Sequence, residues 1–210
     1  MNDRPKRNVA LIAAPFALLA AVVAFFVIAV VLRPGAGSAT PRFHGTPWEP
    51  PAPAPAFTLM AHTGEVATMD DFRGHPVLLF FGYTQCPDVC PMTLSRLSRV
   101  VDAIGQKAED VRIVLVTVDP DNDSPEALAR YVAGFQGPVV GMTGDPEALA
   151  SIWRAYGVHA EPVASDDSHH DVAHTEAIYG IDRAGRIRVL MQSDASEEEL
   201  RADVRTLIGL

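Results

Sequence analysis

Cys86 and Cys90 are the only two cysteines of the 210-residue chain, and they stand four apart in Tyr83-Thr84-Gln85-Cys86-Pro87-Asp88-Val89-Cys90-Pro91. An apolar run, Val77-Leu78-Leu79-Phe80-Phe81, comes directly before them. The pattern reads as a buried strand that delivers two thiols to the mouth of a helix. Helical spacing of four puts both sulfurs on one face, and a helix N-terminus favours the thiolate form. Two thiolates of lowered pKa can exchange a disulfide or bind a soft metal ion. A purely structural disulfide is the plainer alternative in an exported protein. Closing so short a loop, however, constrains the unfolded chain little.

A third residue narrows the chemistry. Thiol–disulfide oxidoreductases built on the thioredoxin plan separate their cysteines by two residues, whereas three intervene here. They also carry a cis-proline just before the C-terminal hairpin, a place taken here by Asp171-Val172-Ala173-His174-Thr175. His174 stands just ahead of an expected strand at Ala177–Ile181, from which a side chain can reach the sulfurs. Alone, it reads as a hydrogen-bonded residue at a strand start. With Cys86 and Cys90 it completes a soft, three-coordinate set that suits Cu(I) and also tolerates Cu(II). Zinc wants a fourth ligand, and none is obvious.

The elements that must position these residues follow from periodicity and punctuation. Phe57–Met60 and Glu65–Thr68 suggest a small hairpin, and Val77–Tyr83 a first core strand. The cysteine segment leads into a helix from about Cys90 to Gly105. Val111–Asp119 has the near-continuous aliphatic run of a parallel strand covered on both faces. Ser124-Pro125-Glu126 and Asp145-Pro146-Glu147 each place a capping side chain before a proline, opening helices to about Phe135 and Tyr156. Ala177–Ile181 and Arg186–Met191 flank a Gly-containing turn. Ser196 with Glu199 forms a capping box for a closing helix. The order β-α-β-α-(α)-β-β-α predicts an α/β, thioredoxin-like fold with a mixed sheet flanked by helices.

Val9–Leu32 is 24 residues without a charge, about 36 Å as a helix, against a bilayer core of roughly 30 Å. Arg4, Lys6 and Arg7 precede it, and only Arg33 follows closely. This predicts a single transmembrane anchor at 9–32 with residues 1–8 in the cytoplasm. The apolar run is longer than a cleavable signal sequence needs, although Ala36-Gly37-Ser38 resembles a cleavage site. A Pro/Ala-rich linker over 33–55 follows, then the folded domain over 56–210, in the periplasm of a bacterial envelope. Beyond Arg33 the chain holds 25 acidic and 13 basic residues, a formal charge of −12. Such a domain is repelled by nucleic acid and attracts cations or basic protein patches.

The cysteine segment Tyr83-Thr84-x-Cys86-Pro87-Asp88-x-Cys90-Pro91 resembles the signature of the Sco/SenC family of membrane-anchored copper proteins. The likeness continues through Asp119-Pro120-Asp121-Asn122-Asp123-Ser124-Pro125 and through His174-Thr175 followed by Ile181-Asp182-Arg183-Ala184-Gly185. It covers roughly Phe57 to Leu210. The resemblance implies a metallochaperone with copper bound by Cys86, Cys90 and His174. It also implies a part in assembling the binuclear copper centre of cytochrome c oxidase, by delivering copper, by reducing the recipient's cysteines, or both. A periplasmic copper donor or thiol reductant is the implied upstream partner. Asp119 is a candidate for a supporting position beside the metal, and equally an ordinary strand-end acid. Ala173 stands where many members have an acid, so that carboxylate is missing. His169 and His170, in the added segment Asp166–Asp171, are candidates for an auxiliary site or simply part of a solvated loop. His44, His62, His75 and His159 show no pattern of partners. Tyr83 and Phe81 are read as walls of the site, Phe81 more readily as core.

Three other readings compete. A periplasmic thiol–disulfide reductase would use Cys86 and Cys90 without metal. A peroxidase needs a threonine three residues before its reactive cysteine, where this chain has Tyr83. A redox or copper sensor would signal through an output module, which a membrane partner would have to supply.

Overall fold

The computed structural model describes residues 22–25, 41–163, 171–174 and 176–210. Ten strands are described: β1 (Thr46–Pro53), β2 (Thr58–Ala61), β3 (Val66–Thr68), β4 (Val77–Gly82), β5 (Arg112–Thr117), β6 (Val139–Thr143), β7 (Ala160–Val163), β8 (Asp171–His174), β9 (Ala177–Ile181) and β10 (Arg186–Gln192). The main helices are α1 (Val89–Ile104), α2 (Pro125–Val132), α3 (Pro146–Tyr156) and α4 (Glu197–Ile208). Eight strands form one mixed sheet in the order β1-β10-β9-β4-β5-β6-β2-β3, and β7 pairs with β8 in a separate two-stranded sheet.

The centre of the sheet is apolar because its strands are covered on both faces. All six residues of β4 are buried, as are the last five of β5. β4, β5 and β6 run parallel, and β9 runs antiparallel to β4. The expected hairpins at β2–β3 and β9–β10 are present. So are the capping devices: Ser124 Oγ accepts the Ala127 N–H, Asp145 caps α3, and Ser196 and Glu199 complete a capping box on α4. Each satisfies N–H groups that the first helical turn leaves unpaired.

Four strands, β1, β6, β7 and β8, differ from the sequence expectation. The stretch read as linker contributes β1, which pairs with β10 through Thr46↔Leu190 and Pro53↔Arg186 with a bulge between Pro47 and Ala52. Four prolines fit there because β1 is an edge strand, with no further strand to receive its missing N–H groups. The buried Asp203 ties down the chain before it, accepting the His44 and Gly45 N–H groups at 2.6 and 2.8 Å. β6 was masked in the sequence by Gly141. Any Cβ there would meet Leu128 and Val132 of α2 at 3.1–3.2 Å, so glycine is what lets that helix close on the sheet. Finally, Asp171–His174 is a strand rather than a loop, paired with β7.

Among the described residues no helix is long and apolar enough to cross a membrane. The anchor expected at Val9–Leu32 lies outside them, apart from the helical residues Val22–Phe25.

Candidate metal centre

Sheet topology brings three chain segments to one end. β4 and β5 are in parallel register from Val77↔Arg112 to Gly82↔Thr117, so the loops leaving both strands emerge together. The antiparallel partner β9 places Ile178 opposite Phe80, so the chain between His174 and Ala177 arrives where those loops leave. Residues 83–88 and 118–124 therefore meet at the end of the sheet where β9 begins.

The helix begins at Val89, which corrects the expectation that both sulfurs share a helical face. Cys86 lies before the first turn. Its Sγ accepts the Cys90 backbone N–H at 3.3 Å, while the N-cap residue Asp88 makes no side-chain capping bond. The sulfur thus takes the position of a capping acceptor at the positive end of the helix. Cys86 is half-buried, Cys90 is wholly buried, and no disulfide joins them. Gly82 makes the close approach possible: a Cβ there would sit 2.8 Å from the Cys90 sulfur and 2.9 Å from the Phe80 ring.

The Cys90 thiol is pushed well above the ordinary cysteine range. Its hydrogen bond with Cys86 is the largest cause and burial the second; the Tyr83 backbone opposes them, and the charges of Cys86 and Glu176 reinforce them. The expectation of two lowered thiols therefore fails for Cys90. Two adjacent sulfurs in a buried place share one proton readily and carry two negative charges only at a cost. A cation between them reverses that balance, because a coordinating thiol gives up its proton to the metal's field.

The cysteine loop is fixed by a residue that sequence reading did not single out. Asp123 is completely buried and accepts the Thr84 N–H at 3.2 Å, the Thr84 hydroxyl, and the Thr117 hydroxyl at 2.6 Å. Burial raises its pKa; the bonds from Thr117 and Thr84 pull the other way, and Asp119 adds to the rise. One carboxylate thereby locks the residue two before Cys86 to the end of β5. The available signal was the pairing of an acid just before a Ser-Pro cap with a threonine beside the cysteines. Asp119 is also buried, with its carboxylate on the Asn122 side-chain amide at 2.9 and 3.1 Å and its N–H on Thr117 Oγ1 at 2.9 Å. The Val118 N–H on Gly82 O, at 2.9 Å, closes the two loops together.

His174 is the last residue of β8, opposite Ala160 of β7. It stands three residues before β9, and its side chain lies outside the described residues. His169 and His170 lie outside them as well. Among the described residues no group of three or more His, Cys, Asp and Glu side chains is arranged to hold a metal. Phe81 stacks with Tyr156 and Tyr179 at centroid distances of 5.3 and 5.9 Å, which makes it core, and Tyr83 is buried. Two thiols beside a helix N-terminus can take a soft cation or close to a disulfide.

Comparison with known proteins agrees with this geometry. Residues 47–209 match the SCO1/SenC family model. The chain is 33% identical over 146 residues to a SCO2-like protein of Rickettsia prowazekii, covering 69% of this chain and 71% of that one. It is 36% identical over 153 residues to the mitochondrial SCO1 homologue of Homo sapiens, covering 71% of this chain and about half (51%) of the human protein. The copper-bound structure of Bradyrhizobium japonicum ScoI superposes with a TM-score of 0.68 at 35% identity, covering 74% of this chain and 99% of that one. The mixed sheet, the cysteine loop and these similarities lead to one conclusion: the chain belongs to the SCO1/SenC family.

Proposed function

We propose that this chain binds one copper ion through Cys86, Cys90 and His174 and passes it to the binuclear copper centre of cytochrome c oxidase. The observation that carries this reading is the pair of adjacent cysteines at the start of α1, not joined by a disulfide, with Cys86 Sγ 3.3 Å from the Cys90 nitrogen. They stand at the end of the sheet where β9 begins, three residues after His174. The donor chemistry fits a soft ion: two sulfurs and an imidazole suit Cu(I), and the imidazole helps tolerate Cu(II). The copper-bound relative ScoI supports the same choice.

Loading takes the Cys90 proton, which burial and Cys86 otherwise hold in place. Release proceeds by ligand exchange. An open, three-coordinate ion accepts an incoming thiolate before it loses a sulfur, so the cargo is never free in solution. Asp123 and Thr84 keep the cysteine loop in place during the exchange. The apolar segment at Val9–Leu32 anchors the protein in the cytoplasmic membrane with its folded domain in the periplasm. A periplasmic copper donor or thiol reductant supplies it.

The same two cysteines also support a second reading, a metal-independent thiol–disulfide oxidoreductase. The test separates the two. The reduced full-length chain in detergent is titrated with copper in competition with a Cu(I) chelator, beside Cys86→Ser and His174→Ala. Because β1 belongs to the sheet, truncation inside Thr46–Pro53 is avoided. One tightly held copper, weakened in both variants, is expected. No copper uptake, with the thiols still cycling against a reductant in His174→Ala, would leave the oxidoreductase.

A further inference from the structure

The ladder between β9 and β10 ends with Ala177 opposite Gln192. One step beyond it, side chains carry the pairing on: the Ser193 hydroxyl donates to Glu176 Oε2 at 3.1 Å. Ser193 is 7% exposed, in a turn that the Ala195 N–H closes on Gln192 O at 3.2 Å. From the other side, Arg96 of α1 donates through Nη1 to Ser193 O and, at 3.1 Å, to Ala195 O. Arg96 follows Cys90 on the same helix, and Arg99, further along it, pairs with Glu197 of α4 at 2.6 Å. Ser193 therefore holds two parts of the molecule. Its carbonyl is tied to the helix whose first turn contains Cys90, and its hydroxyl to Glu176, the second residue after His174. Backbone pairing of this chain with the main sheet begins at Ala177, so the side-chain bond carries the tie one residue closer to His174.

We infer that Ser193 is a positioning residue for His174. Its hydroxyl holds Glu176, and so the chain leading out of β8, in a fixed relation to α1. A ligand already held in place loses less freedom when an ion binds. The bond thereby raises the histidine's contribution to copper affinity without touching the ion. The inference rests on the proposed ligand set, and the first part of its test needs no copper.

Amide hydrogen exchange over residues 171–176 is followed on the reduced, metal-free, full-length chain in detergent. Ser193→Ala should make it about tenfold faster, the effect of losing one ordinary hydrogen bond from a segment that opens locally. Ser193→Thr keeps the hydroxyl and should restore the wild-type rate. Glu176→Ala removes the same bond from its exposed end and should match Ser193→Ala. Ser98→Ala removes a buried hydroxyl of α1 that has no hydrogen-bond partner among the described residues, and should leave the segment unchanged. In competition with a Cu(I) chelator, Ser193→Ala should then bind copper about tenfold more weakly, the lower end of the range for residues that support a ligand. Added to His174→Ala, it should cost no more than about a further twofold, because the two act through one another. Unchanged exchange in both Ser193→Ala and Glu176→Ala would overturn the inference, as would a loss of affinity equally large with and without His174. Wild-type copper binding by His174→Ala, with exchange responding as expected, would instead count against the proposed ligand set alone.

Discussion

Cys86 and Cys90 follow β4, a strand hydrogen-bonded to β5 on one side and to β9 on the other, whereas His174 ends a strand of a separate two-stranded sheet. The sulfurs inherit their position from the middle of the core. Gly82 leaves room for one, the Cys90 amide holds the other, and Asp123 ties their loop to β5. The histidine is joined to the core through the short connection to β9. On the proposed function, this division would let a fixed sulfur pair keep the ion while a ligand on a separate ribbon is exchanged without repacking the sheet. Affinity and release are then set by different parts of the molecule.

The division can be broken from either side. Cys90→Ser should have the largest effect and remove tight copper binding altogether. The loss read by chelator competition should exceed the roughly 100-fold upper range for residues that only support a ligand. Gly82→Ala comes next, since its methyl group would enter the space of the Cys90 sulfur and the Phe80 ring. It should cost about 1–3 kcal/mol in denaturant unfolding and weaken copper with it. Asp123→Ala frees the Thr84 amide and should weaken copper by about 10–100-fold, read in the same competition.

A smaller effect concerns pH. The Asp123 pKa is raised in the folded state, so the folded protein holds that proton more tightly than the unfolded chain. The stability this provides is full below the ordinary carboxylate range, about 4, and is lost as pH rises through the raised value. Asp123→Asn stays neutral throughout. Its stability relative to wild type should therefore climb over that interval in unfolding experiments run at a series of pH values. The smallest effect is on the ribbon itself. His174→Ala should leave the metal-free protein within about 0.5 kcal/mol of wild type, whereas Gly82→Ala should not.

Much of the fold was legible because its signals are local. Ser124-Pro125, Asp145-Pro146 and the Ser196–Glu199 box announce helix starts within four residues, and the aliphatic runs of β4 and β5 announce a covered sheet. What stayed hidden depends on distant partners. β1 looks like a linker until β10 lies beside it, and β6 looks broken until Leu128 and Val132 fill the space above Gly141. The cysteine pair and His174 stood out by residue type and spacing. Asp123 did not, because its partner Thr84 is 39 residues away. The Cys90 thiol was misjudged for a related reason: helix position lowers a thiol's pKa only where burial and a neighbouring sulfur do not outweigh it.

X-ray absorption at the copper edge of the loaded full-length protein tests the central claim most directly, comparing wild type with His174→Ala. Two sulfur neighbours and one imidazole nitrogen are expected in the wild type, with the imidazole lost and both sulfurs kept in the variant. An unchanged spectrum in His174→Ala, or a wild-type ion with fewer than two sulfurs, would contradict a fixed cysteine pair completed by a histidine from the ribbon.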